Sequence, residues 1–170
     1  KIFEYCSKNS LLKEDGFFLV LNPDVCVSPQ TILDMIKSAE NEKLSTINLS
    51  RENGEHDLSI RKFPTFFNFV TSILGMGNSS VINKEQITEK QYVDWAAGSF
   101  LLFSNELFRA LNGFDTRYFM YCEDVDICWR AMNQCQTKVA YFPDLKAIHY
   151  AQHANRAIFS NHFKWHIKSA

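Results

Sequence analysis

The 170-residue chain carries 18 Lys and Arg against 19 Asp and Glu, and 46% of it is hydrophobic, including 15 Phe. That length allows about one domain with a well-filled core, and the charge balance speaks against nucleic-acid binding, which needs a basic excess or stripe. No apolar run approaches the ~20 residues that span a bilayer, and nothing at the start reads as a signal peptide.

In chain order, Ile2 to Leu12 places apolar residues at a roughly helical spacing, closed by Lys13-Glu14-Asp15-Gly16. Phe17 to Leu21 is a short continuous apolar run, the mark of a strand covered on both faces. It stops at Asn22-Pro23-Asp24. Ser28-Pro29 opens a helix that runs toward Ala39 or Lys43, with Ser as N-cap and Pro at the first helical position. Leu44 to Leu49 reads as a strand, and residues 51–60 as a polar excursion turning at Asn53-Gly54. Phe63 to Leu74 reads as an aromatic-rich helix, and Gly75 to Lys90 as a mobile loop.

Trp95 to Phe103 then reads as one buried strand, and Ser104 caps a helix from Asn105 to Leu111 that Asn112-Gly113 stops. An irregular aromatic link leads to a helix over Glu123 to Gln134 with acidic residues in its first turn. Thr137 to Phe142 and Ala147 to Tyr150 read as two short strands around Pro143, and Ile158 to Ser169 as an amphipathic helix. Alternating strands and helices predict an α/β fold with a mostly parallel sheet flanked by helices.

Four places have the residue types for chemistry. Asp24 follows a buried strand, where open α/β sheets bind ligands, and could hold a divalent cation; Asn-Pro-Asp is also ordinary turn chemistry. Glu123, Asp124 and Asp126 crowd one helical turn. The helix N-terminus and an Asp126–Arg130 pair account for much of that charge, or one carboxylate faces a cleft as a general base. His149 ends a short strand and is either a cation ligand or a hydrogen-bonded core residue. Gly98, inside an apolar strand, suggests close approach by a ligand or another backbone. His149/His153 and His162/His166 do not form H-E-x-x-H, and no Walker, G-x-G-x-x-G or G-x-S-x-G motif occurs. The five cysteines include no C-x-x-C pair and are read as reduced thiols of a cytoplasmic protein.

The order of these pieces is more specific than any one of them. LNPDV, then WAAGSFLLF, a helix closed by NGFD, YFMYCEDVDICWR, a strand, FPD and IHY together resemble the family 2 glycosyltransferases, most closely their rhamnosyltransferase branch. The resemblance covers residues 1 to about 165 and is most specific from Trp95 to His149. It implies a GT-A-type, Rossmann-like fold whose first nucleotide-binding strands are lacking here, in agreement with the abrupt start at Lys1. Residues 17–26 would form the diphosphate edge, 92–150 the acceptor and catalytic part, and 157–169 a terminal amphipathic helix.

By the same resemblance Asp124 is the expected catalytic base with Glu123 beside it. Asn22, Trp95 and Gly98 would line the donor–acceptor cleft, and Asp24 and His149 would ligate Mg²⁺ or Mn²⁺. Asn22 stands where the commoner D-x-D motif has its first Asp, which puts the weight of cation binding on Asp24. The implied activity is inverting transfer of a sugar, rhamnose by branch, from a nucleotide-sugar donor such as deoxythymidine diphosphate rhamnose to a saccharide or lipid-linked acceptor, in bacterial surface polysaccharide synthesis. The terminal helix could touch the inner face of the membrane, pack on its own domain or pair with a second copy. A non-catalytic carbohydrate-binding or assembly module is the alternative; a nucleotidyltransferase would need a glycine-rich, basic phosphate loop.

Overall fold

A computed structural model describes residues 2–63, 80–118 and 122–150. The elements follow in order as α1 (Ile2–Lys8), β1 (Phe17–Leu21), β2 (Val25–Cys26), α2 (Pro29–Ser38), β3 (Leu44–Ser50) and β4 (Ile60–Arg61). After a 3-10 turn at Lys84–Gln86 come β5 (Gln91–Val93), β6 (Trp95–Ala96), β7 (Phe100–Ser104), α3 (Asn105–Ala110), α4 (Glu123–Cys135) and β8 (Val139–His149). The helix expected over Phe63 to Leu74 and the terminal helix from Ile158 lie outside the described residues, apart from Phe63 itself.

The main sheet has the order β1-β7-β3-β8-β2, with β5 also paired to β8. β7 is antiparallel to both β1 and β3, while β3 and β8 are parallel. Hence β1, β3 and β8 run the same way and β7 is inserted against them. The expected α/β class holds, with a sheet that is mixed in its pairings. Because the three co-directional strands end on one side, Asn22, Arg51 and Tyr150 all leave the sheet at the same edge.

Strand alternation divides the apolar runs between two cores. Leu101, Phe103, Val139 and Tyr141 face Leu107 and Phe108 of α3 and Ile127, Cys128 and Ala131 of α4. Phe100, Leu102, Ala140 and Phe142 face Met35 of α2 and Ala39 just beyond it. Covering on both faces is why the strands read as continuous apolar runs rather than as alternation. Each such fully buried large side chain contributes about 1.5–3 kcal/mol. Phe3 of α1 joins the first core through Phe18 and Phe108, at ring-centroid distances of 5.1 and 4.7 Å.

The sequence-derived caps form as their chemistry requires. Ser28 Oγ accepts the Thr31 N–H at 3.0 Å and Ser104 Oγ accepts the Leu107 N–H at 3.1 Å. Asn112 and Gly113 close α3 with φ of 55° and 67°. A Cβ at Gly113 would stand 3.2 Å from the Phe108 ring, so this turn needs glycine for space as well as for conformation. Gly54, at φ 83°, turns residues 51–55 back so that Ser50 bridges His56.

Three expectations are corrected. Trp95 to Phe103 is not one strand: β6 pairs with β4, the chain turns through Ala97–Ser99, and β7 enters the main sheet. Thr137 to Tyr150 is not two strands but one, β8, from which Pro143, Asp144 and Leu145 bulge while pairing to β3 passes from Phe142 to Lys146. Proline lacks the N–H a ladder needs, so the strand bulges there and resumes. Within the expected mobile loop, residues 80–90 carry the 3-10 turn, pinned by Lys84, whose ammonium donates to Leu49 O at 3.1 Å and Ser59 Oγ at 2.7 Å.

Candidate active site

Asp124 is the second residue of α4, whose first turn also holds Glu123 and Asp126. Its carboxylate is half-buried against the turn between β6 and β7. Oδ2 accepts the Gly98 N–H at 3.1 Å and Oδ1 accepts the Val125 N–H at 2.8 Å. Burial pushes the Asp124 carboxyl above its ordinary range, and the backbone donors and the positive charge of Arg61 hold the rise in check. Glu123 is also raised, first by burial and further by the charge of Asp124. Its Oε2 is buried with no hydrogen-bond partner among the described residues. Asp126 is committed elsewhere: it binds Arg130 at 2.7 Å, and Arg130 also donates to Leu111 O and Gly113 O.

Gly98 therefore has a more specific place than the interior of a strand. It lies in the turn between β6 and β7 beside the carboxylate, where a Cβ would stand 3.6 Å from Asp124 Cβ. Trp95 lies one strand away on β6, its indole N–H donating to Lys62 O at 3.0 Å and Arg61 standing 5.8 Å from the ring centroid.

The second group forms where β1 and β8 end. β2 returns antiparallel to β8, pairing Val25 with His149, and Tyr150 N–H donates to Asp24 O at 2.9 Å. This register sets His149 Nε2 3.4 Å from Asp24 Oδ1, within ion-pair distance but without a hydrogen bond. On the other side of the ring, His149 Nδ1 lies 2.6 Å from Asp57 Oδ2. Among the described residues no three His, Cys, Asp or Glu side chains gather as a metal cage. Asp57 faces the far ring nitrogen, so among the described residues Asp24 and His149 are the pair that offers ligand atoms on a common side.

The turn at Ala97–Ser99 joins the two groups. Asn22, at the exposed end of β1, donates its N–H to Ser99 O at 3.0 Å, and Ala97 N–H donates to Ser59 O at 2.8 Å. Contacts therefore run from Asp124 through Gly98 and Ser99 to Asn22 and Asp24, across His149 to Asp57, and back by Ser59 to Ala97. Six of the seven residues singled out in the sequence lie on this circuit or next to it in the chain; Trp95 flanks it two residues before Ala97.

Asp57, Ser59 and Lys84 were missed. They sit in polar stretches with no periodicity or motif; the Asp57 N–H bond to Leu49 O, the pairing of residues 59–61 with 95–97 and the Lys84 bonds to Leu49 O and Ser59 Oγ bring them to the site. A cavity of about 810 Å³ opens on the outer side of Asp57, between residues 51–58 and 81–85, and does not include the Asp124 carboxylate. No helix among the described residues is long and apolar enough to cross a membrane.

No family model matches the chain. It is 42% identical over 160 residues to rhamnosyltransferase WbbL of Escherichia coli (strain K12), a match covering 92% of the chain and 60% of that protein. It is 36% identical over 77 residues to the N-acetylglucosaminyl-diphospho-decaprenol L-rhamnosyltransferase of Mycobacterium tuberculosis in two strains, covering 45% of the chain and 25% of those proteins. The match is nearly as long as the chain itself, so the chain is similar to rhamnosyltransferase sequences and spans 60% of the length of its Escherichia coli relative.

Proposed function

We propose that the protein transfers a rhamnosyl group from a nucleoside-diphosphate donor to a hydroxyl of a saccharide or lipid-linked acceptor, in bacterial surface polysaccharide synthesis, with inversion at the anomeric carbon. The observation that carries the catalytic part is the Asp124 carboxylate, half-buried with its pKa raised by burial, and oriented by two backbone N–H groups. Each carboxylate oxygen has two lone pairs, so a proton acceptor remains on both after the Gly98 and Val125 bonds.

Asp124 takes the proton of the acceptor hydroxyl as that oxygen attacks the anomeric carbon. The bond from that carbon to the diphosphate oxygen breaks, and nucleoside diphosphate leaves with the electron pair. Base catalysis of this kind contributes about 10²–10⁴ in rate. A pKa raised by burial makes the ionised carboxylate a stronger base. Glu123, whose Oε2 has no hydrogen-bond partner among the described residues, stands in the same turn of helix as a second group able to hold a sugar hydroxyl. Gly98 keeps the space over Asp124 open, and Asn22 and Trp95 flank the donor–acceptor cleft.

Asp24 and His149 fit a divalent cation, Mg²⁺ or Mn²⁺, because Asp24 Oδ1 is buried without a hydrogen-bond partner among the described residues and His149 Nε2 stands beside it. When bound there, such a cation would neutralise charge on the leaving diphosphate. The names of both relatives point to rhamnose as the sugar transferred, and deoxythymidine diphosphate rhamnose is the donor that the resemblance to the rhamnosyltransferase branch implies. A polyprenyl-diphosphate-linked sugar is the acceptor class suggested by the mycobacterial one. Such an acceptor would hold the protein at the cytoplasmic face of the membrane.

The test is release of nucleoside diphosphate by the full-length protein carrying this sequence, given a panel of sugar nucleotides, an acceptor lipid extract and Mg²⁺ or Mn²⁺, beside its Asp124→Asn variant. Turnover of one donor that is lost in the variant supports both class and base. No turnover of any donor would instead favour a carbohydrate-binding module.

A further inference from the structure

Asp57 lies in a polar stretch with no motif, yet its placement is closely determined. Its N–H donates to Leu49 O at 3.0 Å just after the turn at Gly54, which fixes the backbone against the end of β3. Ser59, two residues on, is held by the Lys84 ammonium and accepts the Ala97 N–H. Lys84, itself buried, is close enough for attraction between its charge and the Asp57 carboxylate. Asp57 thus meets His149 as an anchored carboxylate, with the two side chains only 16% and 13% exposed.

A carboxylate oxygen 2.6 Å from Nδ1 is a short, charge-assisted contact that requires the proton on Nδ1. In the neutral ring Nε2 then carries only a lone pair. That lone pair stands 3.4 Å from Asp24 Oδ1, which has no hydrogen-bond donor among the described residues. Two acceptors facing each other at this distance repel unless a positive species joins them. A carboxylate behind a histidine is the usual means of fixing which ring nitrogen a cation receives.

We propose that Asp57 is the positioning residue of the site, holding the His149 imidazole with its proton on Nδ1 so that the Nε2 lone pair is presented beside the Asp24 carboxylate. The proposal rests on the reading of Asp24 and His149 as cation ligands, and its test separates the two. Asp57 does not touch the reacting atoms; it acts through the ring.

The full-length protein, labelled with ¹⁵N and freed of metal, is studied at pH 8 by long-range ¹H–¹⁵N correlation of its histidine rings, with His149→Gln assigning the His149 signals. Mn²⁺ affinity is measured on the same samples by electron paramagnetic resonance. We expect the Nδ1–H tautomer in the wild type. In Asp57→Ala we expect a shift toward Nε2–H and Mn²⁺ affinity weaker by about 10–100-fold. Asp57→Asn, which keeps an acceptor oxygen, should recover part of both and carries the test if the alanine variant does not fold. An Nε2–H ring or a doubly protonated ring in the wild type overturns the proposal. So does a tautomer and Mn²⁺ affinity unchanged in Asp57→Ala. Absence of Mn²⁺ binding in a wild type with the Nδ1–H tautomer would count against the cation reading only, since the nitrogen shifts decide the positioning role by themselves.

Discussion

The Gly98 N–H donates to Asp124 Oδ2 at 3.1 Å, joining the turn between β6 and β7 to the first turn of α4. Together with the Val125 N–H on Oδ1, this bond orients the carboxylate and moderates its pKa, and Gly98 places no side chain beside it. Replacing Asp124 by Asn keeps one acceptor oxygen and removes the base. We expect transfer to fall by about 10²–10⁴, with donor affinity nearly unchanged, as read by steady-state rates and by donor titration.

The same carboxylate sets a pH dependence. A base must be ionised to act, and burial raises Asp124 above the ordinary aspartate value of 3.8. The acid limb of the rate profile should therefore lie above that value, with the rate rising as the proton is lost. In Asp124→Glu the limb should move, while an acid limb at the same pH in both would assign it to another group.

Gly98 is a matter of space rather than of backbone conformation. Its nearest neighbour for an added Cβ is Asp124 Cβ at 3.6 Å, an ordinary contact. Gly98→Ala should fold with a stability change within about 1 kcal/mol. Gly98→Val adds two methyl groups toward the carboxylate and should lower kcat well beyond the alanine variant. Thermal unfolding and steady-state kinetics on the pair separate folding from access.

Lys84 carries a cost that depends on pH. Burial lowers its pKa from 10.5 to about 8, against a smaller opposing pull from Asp57. Between about pH 8 and 10.5 the unfolded chain holds a proton that the folded chain has released, so this group makes stability rise with pH across that window. The full difference is at most about 3 kcal/mol. Lys84→Met should match or exceed the wild type at pH 7 despite losing the bonds to Leu49 O and Ser59 Oγ. The wild type should then gain on the variant as pH rises from 8 to 10, as measured by denaturant unfolding.

Arg130 ties α4 to the end of α3 through Asp126, Leu111 O and Gly113 O. Arg130→Met leaves a mostly buried carboxylate and two carbonyls without their donors. We expect a loss of about 3 kcal/mol in urea unfolding. Arg130→Lys should recover only part of it, because an ammonium cannot match the planar fork that reaches all three acceptors.

What the sequence determined by itself was local: the caps at Ser28 and Ser104, the turns at Gly54 and Gly113, the doubly covered strands and the acidic first turn of α4. These depend on side-chain chemistry within a few residues, or on an apolar run that must be buried wherever it goes. It also carried the order of motifs from which Asp24, Asp124 and His149 were singled out. Tertiary structure decided which of those residues meet. The reversed insertion of β7 brings Gly98 to Asp124, and the return of β2 along β8 brings Asp24 to His149. The parallel pairing of β3 with β8 carries the polar turn after β3, and Asp57 with it, to the far side of that ring. Pairing across a sheet is set by which faces are buried and which edges are free, and no spacing within a single strand records it.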